Sequence, residues 1–531
     1  MAQVKTSIGP MIENKDDKKM NRMVRGDDSS FYAYRMSNAT GGAFYLEKYN
    51  KNSLTPVFSK KIIYPEGIND QVISIQYALG NVYIFKSHYN DNTELTNLYY
   101  QSVSAQGNII ETHANLITIK NVYIIYTISF NAALNRIFIK ASYEPSEAND
   151  YISELYLFEL KPALSKVWEK TMKSERPGKG SRERNLEETL IGMEDISDKA
   201  GPDMDKNYHF YFLFRNADKS EGLFYTYQLY ILSGQLISEK MLQLEFDGNY
   251  LISSVKFSRT ANNELIIGGM LKNIEGSRSN TGYFCYILNK KNDKFIAKTV
   301  KFLEEPVLLR IDPNIDNAPK YEYALDYMLN TGNDIYLVAQ QYTKEYAEAP
   351  VLEEDPNHQQ AGSPKFSKLH PTVPSPATTN TIKYHYRDIL VVKFNNNGLY
   401  EWVSHIPYRN SFNAKILHHY KQYNAIATEQ QLYIFHNEEP KNFDLYSKEN
   451  FDLSLLKNLH DSGTPQFICS SLNSINGKIK NNFLFISSDY EKNILQEGSA
   501  DDDFLTISGK NELILFTKNK GADQFVKLQL E

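Results

Sequence analysis

Two cysteines, Cys285 and Cys469, are all that the 531 residues contain. Two thiols cannot build a disulfide framework, which excludes the small stapled scaffolds of secreted modules. Both lie in apolar runs, YFCYIL and QFICSS, where a thiol is expected to act as a small buried hydrophobe. Tryptophan is equally scarce, with Trp168 and Trp402 alone. No uninterrupted apolar run nears the ~18 residues that a membrane-spanning helix needs. Basic charge is not in excess either. Lys and Arg number 58 against 64 Asp and Glu, for a net charge of −6, so nucleic acid is not the expected partner. No secretory leader stands at the start. Met1-Ala2-Gln3-Val4 reads as a start methionine placed before a processed, exported chain, since signal cleavage favours small residues.

Motifs of catalysis and metal binding are missing as well. Neither a G-x-S-x-G elbow nor a P-loop occurs. Gly178-Lys179-Gly180-Ser181, with Arg176, Arg182 and Arg184 nearby, lacks the preceding strand and following helix of a phosphate cradle, and reads as a basic loop that steers an anionic partner. Asp195, Asp198, Asp203, Asp205 and Asn207 are spaced like part of a calcium loop but lack its turn glycine and late glutamate. Asp501, Asp502 and Asp503 form a like-charge run, the mark of an exposed turn. His418 and His419 are adjacent, so a strand sends them to opposite faces. His436 and His460 are possible companions, and no zinc-type spacing results. No catalytic, cofactor-binding or metal-binding residue is therefore assigned, and no cofactor is expected. Carboxylates that converge only in the folded chain escape this reading.

What the chain has in abundance is aromatic residues, 38 Tyr and 28 Phe, and these favour strands. They recur in one unit: a strand rich in aromatics, a polar or glycine-containing turn, and a second strand. Copies stand at 43–62, 97–116, 155–172, 227–244, 283–302, 388–408 and 511–530. Apolar residues alternate or run on for five to seven positions, a strand period and not a helical one. Further strand-like segments precede most copies, among them 72–80 and 81–89, 122–130 and 135–143, 251–258 and 264–271, and 321–329 and 333–342. Two strands plus a hairpin make a four-stranded unit of the size of a propeller blade. The expected fold is all-β, a β-propeller of four-stranded antiparallel blades. Seven blades are expected, with eight as the alternative if strands near 431–437, 465–472 and 482–489 form a degenerate unit. A closing blade that shares strands from both termini would hide the sheet edges. Residues 1–28 are set apart as an N-terminal extension to a single propeller domain, 29–531.

The repeated hairpins resemble those of uncharacterised exported β-propeller proteins of Gram-negative bacteria, and ILVVKFNNNGLYEW (389–402) is the closest match to their short repeats. The resemblance is architectural. It implies export to the periplasm or cell surface and carries no functional residue. WD40 and sialidase-type repeats are not matched.

Antiparallel geometry then sorts the connections. Links between second and third strands share one face with links between blades, and third-to-fourth turns share the other. Long segments at 173–207, 344–383 and 438–463 are expected on the first of these faces, with the short hairpin turns on the second. Pro350, Pro356, Pro364, Pro371, Pro374 and Pro376 keep the middle segment out of regular structure. Function concentrates in loops on a rigid scaffold. The expected function is thus non-catalytic binding or scaffolding in the cell envelope, with a protein or polysaccharide partner on the loop-rich face. The alternative is a glycan-active hydrolase or lyase with carboxylates at the channel mouth. A structural role in an envelope assembly would instead require a large apolar patch on the rim.

Overall fold

The computed structural model describes residues 4–12, 18–37, 44–62, 71–121, 124–131, 135–143, 150–161, 163–175, 186–197, 208–218, 224–233, 239–274, 281–303, 322–346, 382–414, 421–446, 455–459, 466–483, 494–495, 505–509, 511–519 and 522–530. They form eight small antiparallel sheets arranged as the blades of a propeller. The first blade consists of Lys18–Arg25, Ser30–Ser37, Phe44–Asn50 and Pro56–Ile62, counted from the channel outwards. The second has Gln71–Ala78, Asn81–Asn90, Leu95–Ser104 and Ile109–Ile119; the third has Ile125–Asn131, Arg136–Tyr143, Asp150–Lys161 and Ala163–Glu175. The fourth has Leu186–Ser197, Tyr208–Asp218, Phe224–Ser233 and Glu239–Leu244; the fifth has Tyr250–Arg259, Leu265–Asn273, Thr281–Asn289 and Lys294–Phe302. The sixth has Glu322–Asn330, Asp334–Tyr346, Ile382–Asn395 and Tyr400–Ile406; the seventh has Tyr423–Ala427, Gln431–Glu438, Gln466–Asn473 and Ile479–Phe483.

The eighth blade closes the ring. Ile494–Leu495 and Leu505–Gly509 pair with Glu512–Asn519, which pairs with Ala522–Gln529, and the outermost strand is the N-terminal Lys5–Ile12. The expected sharing of strands between the termini is present. The blade number is eight, not seven, because the degenerate unit of residues 423–483 is a complete blade. The final hairpin of 511–530 is also displaced from its expected role, since it supplies second and third strands while the fourth comes from the start of the chain. Lys5–Ile12 and Lys18–Arg25 are blade strands, so the propeller takes in much of the segment set apart as an extension. The 173–207 segment is divided too. Leu186–Ser197 is the first strand of blade four, so residues 176–185 link blades whereas 198–207 link first to second strand on the opposite face.

The core follows from the two-residue period of a strand. Along blade four, Phe210, Phe212 and Phe214 pack on blade three, while Tyr211 and Leu213 pack on blade five. Both faces of the sheet are thus apolar, and the strand reads as a continuous hydrophobic run. Among the described residues the buried side chains form eight clusters, and each spans one pair of adjacent blades. Cys285 lies in the cluster between blades five and six, and Cys469 in that between seven and eight; both are free and fully buried. Burial pushes the Cys285 thiol up to about 12 and raises that of Cys469 as well, so both remain protonated hydrophobes.

Third-to-fourth turns lock blades two, six and seven onto the blade before. Lys48 Nζ donates to the Ala105 carbonyl at 3.1 Å, and Thr299 Oγ1 to that of Gly398 at 2.7 Å. The Ser474 carbonyl accepts from both Lys393 Nζ, at 2.6 Å, and Trp402 Nε1, at 3.1 Å. Gly477, in the same turn, has a φ of 67° and lies against the Trp402 ring, where a Cβ would come within 2.7 Å of it.

The junction of blades eight and one carries a buried charge cluster. Arg35 is paired with Asp523 and lies 3.7 Å from Glu47, whose other contacts are Tyr49 OH at 2.7 Å and Ser59 Oγ at 3.1 Å. Removing one member of such a cluster leaves an uncompensated buried charge. Asp523→Ala should therefore destabilise the ring by about 3 kcal/mol or more, read as a lowered thermal midpoint. Replacing Arg35, Glu47 and Asp523 together by Met, Gln and Leu should recover much of that loss. An Asp523→Ala protein with an unchanged midpoint would show that the cluster does not hold the closure.

Candidate functional site

The loop-bearing face is most elaborate where blades six and seven meet. Two of the long segments arise there, each between second and third strands: 347–381 in blade six, which lies outside the described residues, and 439–465 in blade seven.

Blade six prepares the base of its segment with a bulge. Gln340 pairs with Ile389, and Tyr342 with Tyr386, so Arg387 and Asp388 together oppose the single residue Gln341. Such an excess bends a strand and re-aims its side chains. Beyond the bulge, Ile382–Tyr386 pairs on one side with Tyr342–Tyr346 and on the other with a fifth strand, Asn410–Ala414. The result is a three-stranded stem. At its tip Tyr346 and Ile382 are register partners, so the two ends of the 347–381 segment are held side by side. Aromatic rings stiffen the stem. Tyr386 stacks on Tyr342 at 5.9 Å, on Tyr384 at 6.0 Å and on Phe412 at 5.6 Å. His385 Nε2 lies 3.1 Å from Glu345 and its Nδ1 2.9 Å from Ser411 Oγ, and these contacts join all three strands.

Asp388, turned inward by the bulge, is buried beneath the stem. Its carboxylate accepts from Arg409, from the Tyr408 amide at 3.3 Å and from His405 Nδ1 at 3.3 Å. Burial alone would raise its pKa, but the Arg409 charge and the His405 contact outweigh it and hold the carboxyl below its ordinary value. As an anion the group fixes the blade six to seven link.

Blade seven braces the same link from the other side. Asn442, fully buried after a short turn capped by Glu439, donates to Glu438 at 2.7 Å and to the Lys457 carbonyl at 3.0 Å, and accepts from the Lys457 amide at 2.9 Å. The returning chain then reaches blade six, where the Leu459 amide donates to the Arg409 carbonyl at 3.0 Å. His436 lies just below, with Nδ1 3.1 Å from the Asn437 carbonyl and Nε2 3.3 Å from Ser470 Oγ. Burial pushes it down to about 4.

Of the candidates read from the sequence, His436 and Asp195 lie among the described residues, on different blades. His436 is a buried structural residue of blade seven. Asp195 lies on the first strand of blade four, opposite Phe210. Asp198, Asp203, Asp205, Asn207, the 176–184 basic stretch, His418, His419, His460 and Asp501–Asp503 lie outside the described residues. Among the described residues no group of three or more His, Cys, Asp and Glu is placed to hold a metal ion. The carboxylates with a displaced pKa, Asp27, Glu322, Glu345 and Asp388, are all displaced downwards.

Sequence reasoning missed a cavity in the channel wall. It measures about 360 Å³ and is lined by Arg22, Met23 and Val24 of blade one, Ile73–Gln76 of blade two and Tyr126–Ile128 of blade three. No carboxylate belongs to this lining. No signal could have revealed it, because its residues come from three blades and share no motif.

Among the described residues the rim carries exposed apolar side chains singly. Val57, Ile110, Val167, Met241 and Ile296 stand on the outer strands of blades one to five, and Leu399 and Ile475 in the hairpin turns of six and seven. Spread one to a blade, they do not make the broad patch of an assembly interface.

No family model matches the chain, and no curated protein matches it in sequence. Solved structures do overlay on it, and they are propellers. The WD40 domain of SCAP from fission yeast covers 99% of this chain and 98% of its own, at 8% identity and a TM-score of 0.35. The β-propeller domain of the Trilobed protease from Pyrococcus furiosus covers 88% and 99%, at 6% identity and a TM-score of 0.34. The polysaccharide lyase Uly1 covers 96% and 99%, at 9% identity and a TM-score of 0.35. Overlap this loose carries nothing about activity.

The buried histidine gives the site a pH signature. A neutral base with a folded pKa near 4 and an unfolded value near 6.5 contributes stability that is complete above the unfolded value and is lost as pH falls towards 4. The full loss is roughly 3 kcal/mol. Asp388, with its depressed pKa, adds a second loss at lower pH, below the ordinary carboxylate value. Urea midpoints measured from pH 7 to pH 4.5 should fall steadily for the wild type, and His436→Gln should flatten that slope. Equal slopes would remove His436 as its source.

Proposed function

We propose that this protein is a non-catalytic binding or scaffolding propeller of the bacterial cell envelope, exported to the periplasm or cell surface. Its partner, a protein or polysaccharide, is held on the loop-bearing face at blades six and seven. One observation carries the reading: a bulged, aromatic-braced, three-stranded stem holds the ends of a 35-residue segment, 347–381, as register neighbours. A chain excursion mounted in this way has a rigid base and freedom of sequence above it, the arrangement that binding loops use on other scaffolds. The buried Asp388–Arg409 pair and the Asn442 bridge tie the bases of both long segments into one platform.

The export step rests on the resemblance of the hairpins to exported propellers. Glycan hydrolysis or lysis ranks second. Hydrolysis generally uses a pair of carboxylates across the scissile bond, and the lining of the channel cavity contains none.

Site-specific photo-crosslinking in the native cell envelope tests the proposal. A photoreactive residue at Asn413, exposed on the stem, should form a discrete adduct, while one at Ile475, exposed in a hairpin turn of the opposite face, should not. Replacing 347–381 by a short Gly/Ser linker between Tyr346 and Ile382 keeps the stem and should abolish the adduct. Adducts from both faces, or an adduct that survives the replacement, would sink the assignment of this face.

A further inference from the structure

We propose that Ser411, His385 and Glu345 form a nucleophilic relay on the stem of blade six, through which the protein takes up an acyl group from an activated ester. The inference goes beyond the binding reading, which asks no chemistry of these side chains, and the step claimed is a single covalent capture. It begins with register. Thr343, His385 and Ser411 are partners across the three strands of the stem, so they stand side by side on one face. Tyr342, Tyr384, Tyr386 and Phe412 alternate with them and stack on the other face. Ser411 Oγ lies 2.9 Å from His385 Nδ1, and Glu345 lies 3.1 Å from Nε2. A carboxylate at Nε2 favours the proton on that nitrogen, which leaves Nδ1 to accept from the hydroxyl. Ser411 Oγ is also 3.5 Å from Asn458 Oδ1, so the shorter contact with the imidazole is the principal one.

Nucleophile, base and an anion behind the base are the groups that activate a hydroxyl. As Oγ attacks the acyl carbon, its proton passes to Nδ1, and Glu345 stabilises the imidazolium that forms. That carboxylate is exposed and is held below its ordinary pKa by the His385 contact, so it stays ionised. The carbonyl then re-forms, the bond to the leaving oxygen or sulfur breaks, and His385 returns the proton to the leaving group. An acyl ester remains on Ser411. The surroundings supply a second argument. Thr343 Oγ1, Gln341 Oε1 and Arg387 Nε are buried without a hydrogen-bond partner, and Thr343 and Gln341 are only 4% and 5% exposed. Thr343 is the register partner of His385, and the next position along is Gln341, opposed by Arg387 at the bulge. Buried polar atoms are as a rule paired, so three orphans beside one histidine point to a polar reactant. The N–H of Arg387 is a donor of the kind that stabilises the oxyanion of a tetrahedral intermediate.

Incubation of the full chain with p-nitrophenyl acetate, followed by peptide mapping by mass, tests the proposal. An acetyl group should appear on Ser411, and Ser411→Ala should remove it. His385→Gln should slow labelling of Ser411 by about a hundredfold or more, and added imidazole should restore part of the rate to His385→Ala. Glu345→Gln should slow it by about tenfold or more, and Glu345→Asp should recover part of that loss. If the His385 variants fail to fold, the Glu345 variants, altered at an exposed side chain, decide the question. No label on Ser411, or a Ser411 rate untouched by His385→Gln or by Glu345→Gln, would overturn the proposal. The Asn413 crosslink is expected in Ser411→Ala as in the wild type, so the relay and the binding face stand or fall separately.

Discussion

Every blade here is apolar on both faces, and that single constraint decides the architecture. A four-stranded sheet whose second strand sends Phe210 and Phe212 one way and Tyr211 and Leu213 the other cannot rest with either face in water. It needs a neighbour on each side, and so does each neighbour, which leaves a closed ring as the solution. Closure then falls to the chain ends. Lys5–Ile12 completes the sheet begun by the C-terminal strands, and Ile514, Phe516 and Phe525 of that sheet pack on Phe31, Ala33 and Tyr49 of blade one. Arg35 and Asp523 meet across the same junction, where charge fixes a register that apolar contact alone leaves loose.

Apolar faces give cohesion but little orientation, and the hairpin turns supply the rest. The carbonyls of Ala105, Gly398 and Ser474 are each taken up by a side chain of the preceding blade. The face that carries these turns is committed to holding blades together, and substitution there is constrained by contacts such as that of Gly477 with Trp402. The opposite face bears the links between blades and between second and third strands, and at blades six and seven their bases are tied by the Asp388–Arg409 pair and by Asn442. Long segments accumulate where they do not compete with the latches.

Much of this was legible in the sequence, for an identifiable reason. The second, third and fourth strands are written in aromatic and β-branched runs separated by polar turns, so hairpins such as 283–302 and 388–408 stand out. First strands are harder to see. Leu186–Ser197, written LEETLIGMEDIS, is rich in charge and was absorbed into a supposed loop, and blade seven begins with a strand of only five residues, Tyr423–Ala427. An inner strand pairs on one side alone, so its sequence is less constrained. That is why seven blades were expected where eight exist. The platform at blades six and seven was half legible: its long segments were evident, but the roles of Asp388, Arg409 and Asn442 depend on contacts between residues up to 50 positions apart. The channel cavity was not legible at all.

Six of the eight inner strands share one further feature. Among the described residues, register shifts interrupt the first-to-second strand pairing at Met20/Arg22, Val72/Ser74, Leu190/Gly192, Ile252/Ser254 and Leu325/Tyr327, and in the closing blade at Ile507/Gly509. An extra residue sharpens the twist of a strand where blades crowd towards the axis. It also withdraws a residue from the ladder, and the groups released or re-aimed in this way are used between blades. The Ile73 carbonyl takes Arg22, and Ser254 Oγ accepts from the Leu325 amide of the next blade at 3.2 Å. The same bulges that let eight blades share one axis therefore place polar groups along the channel.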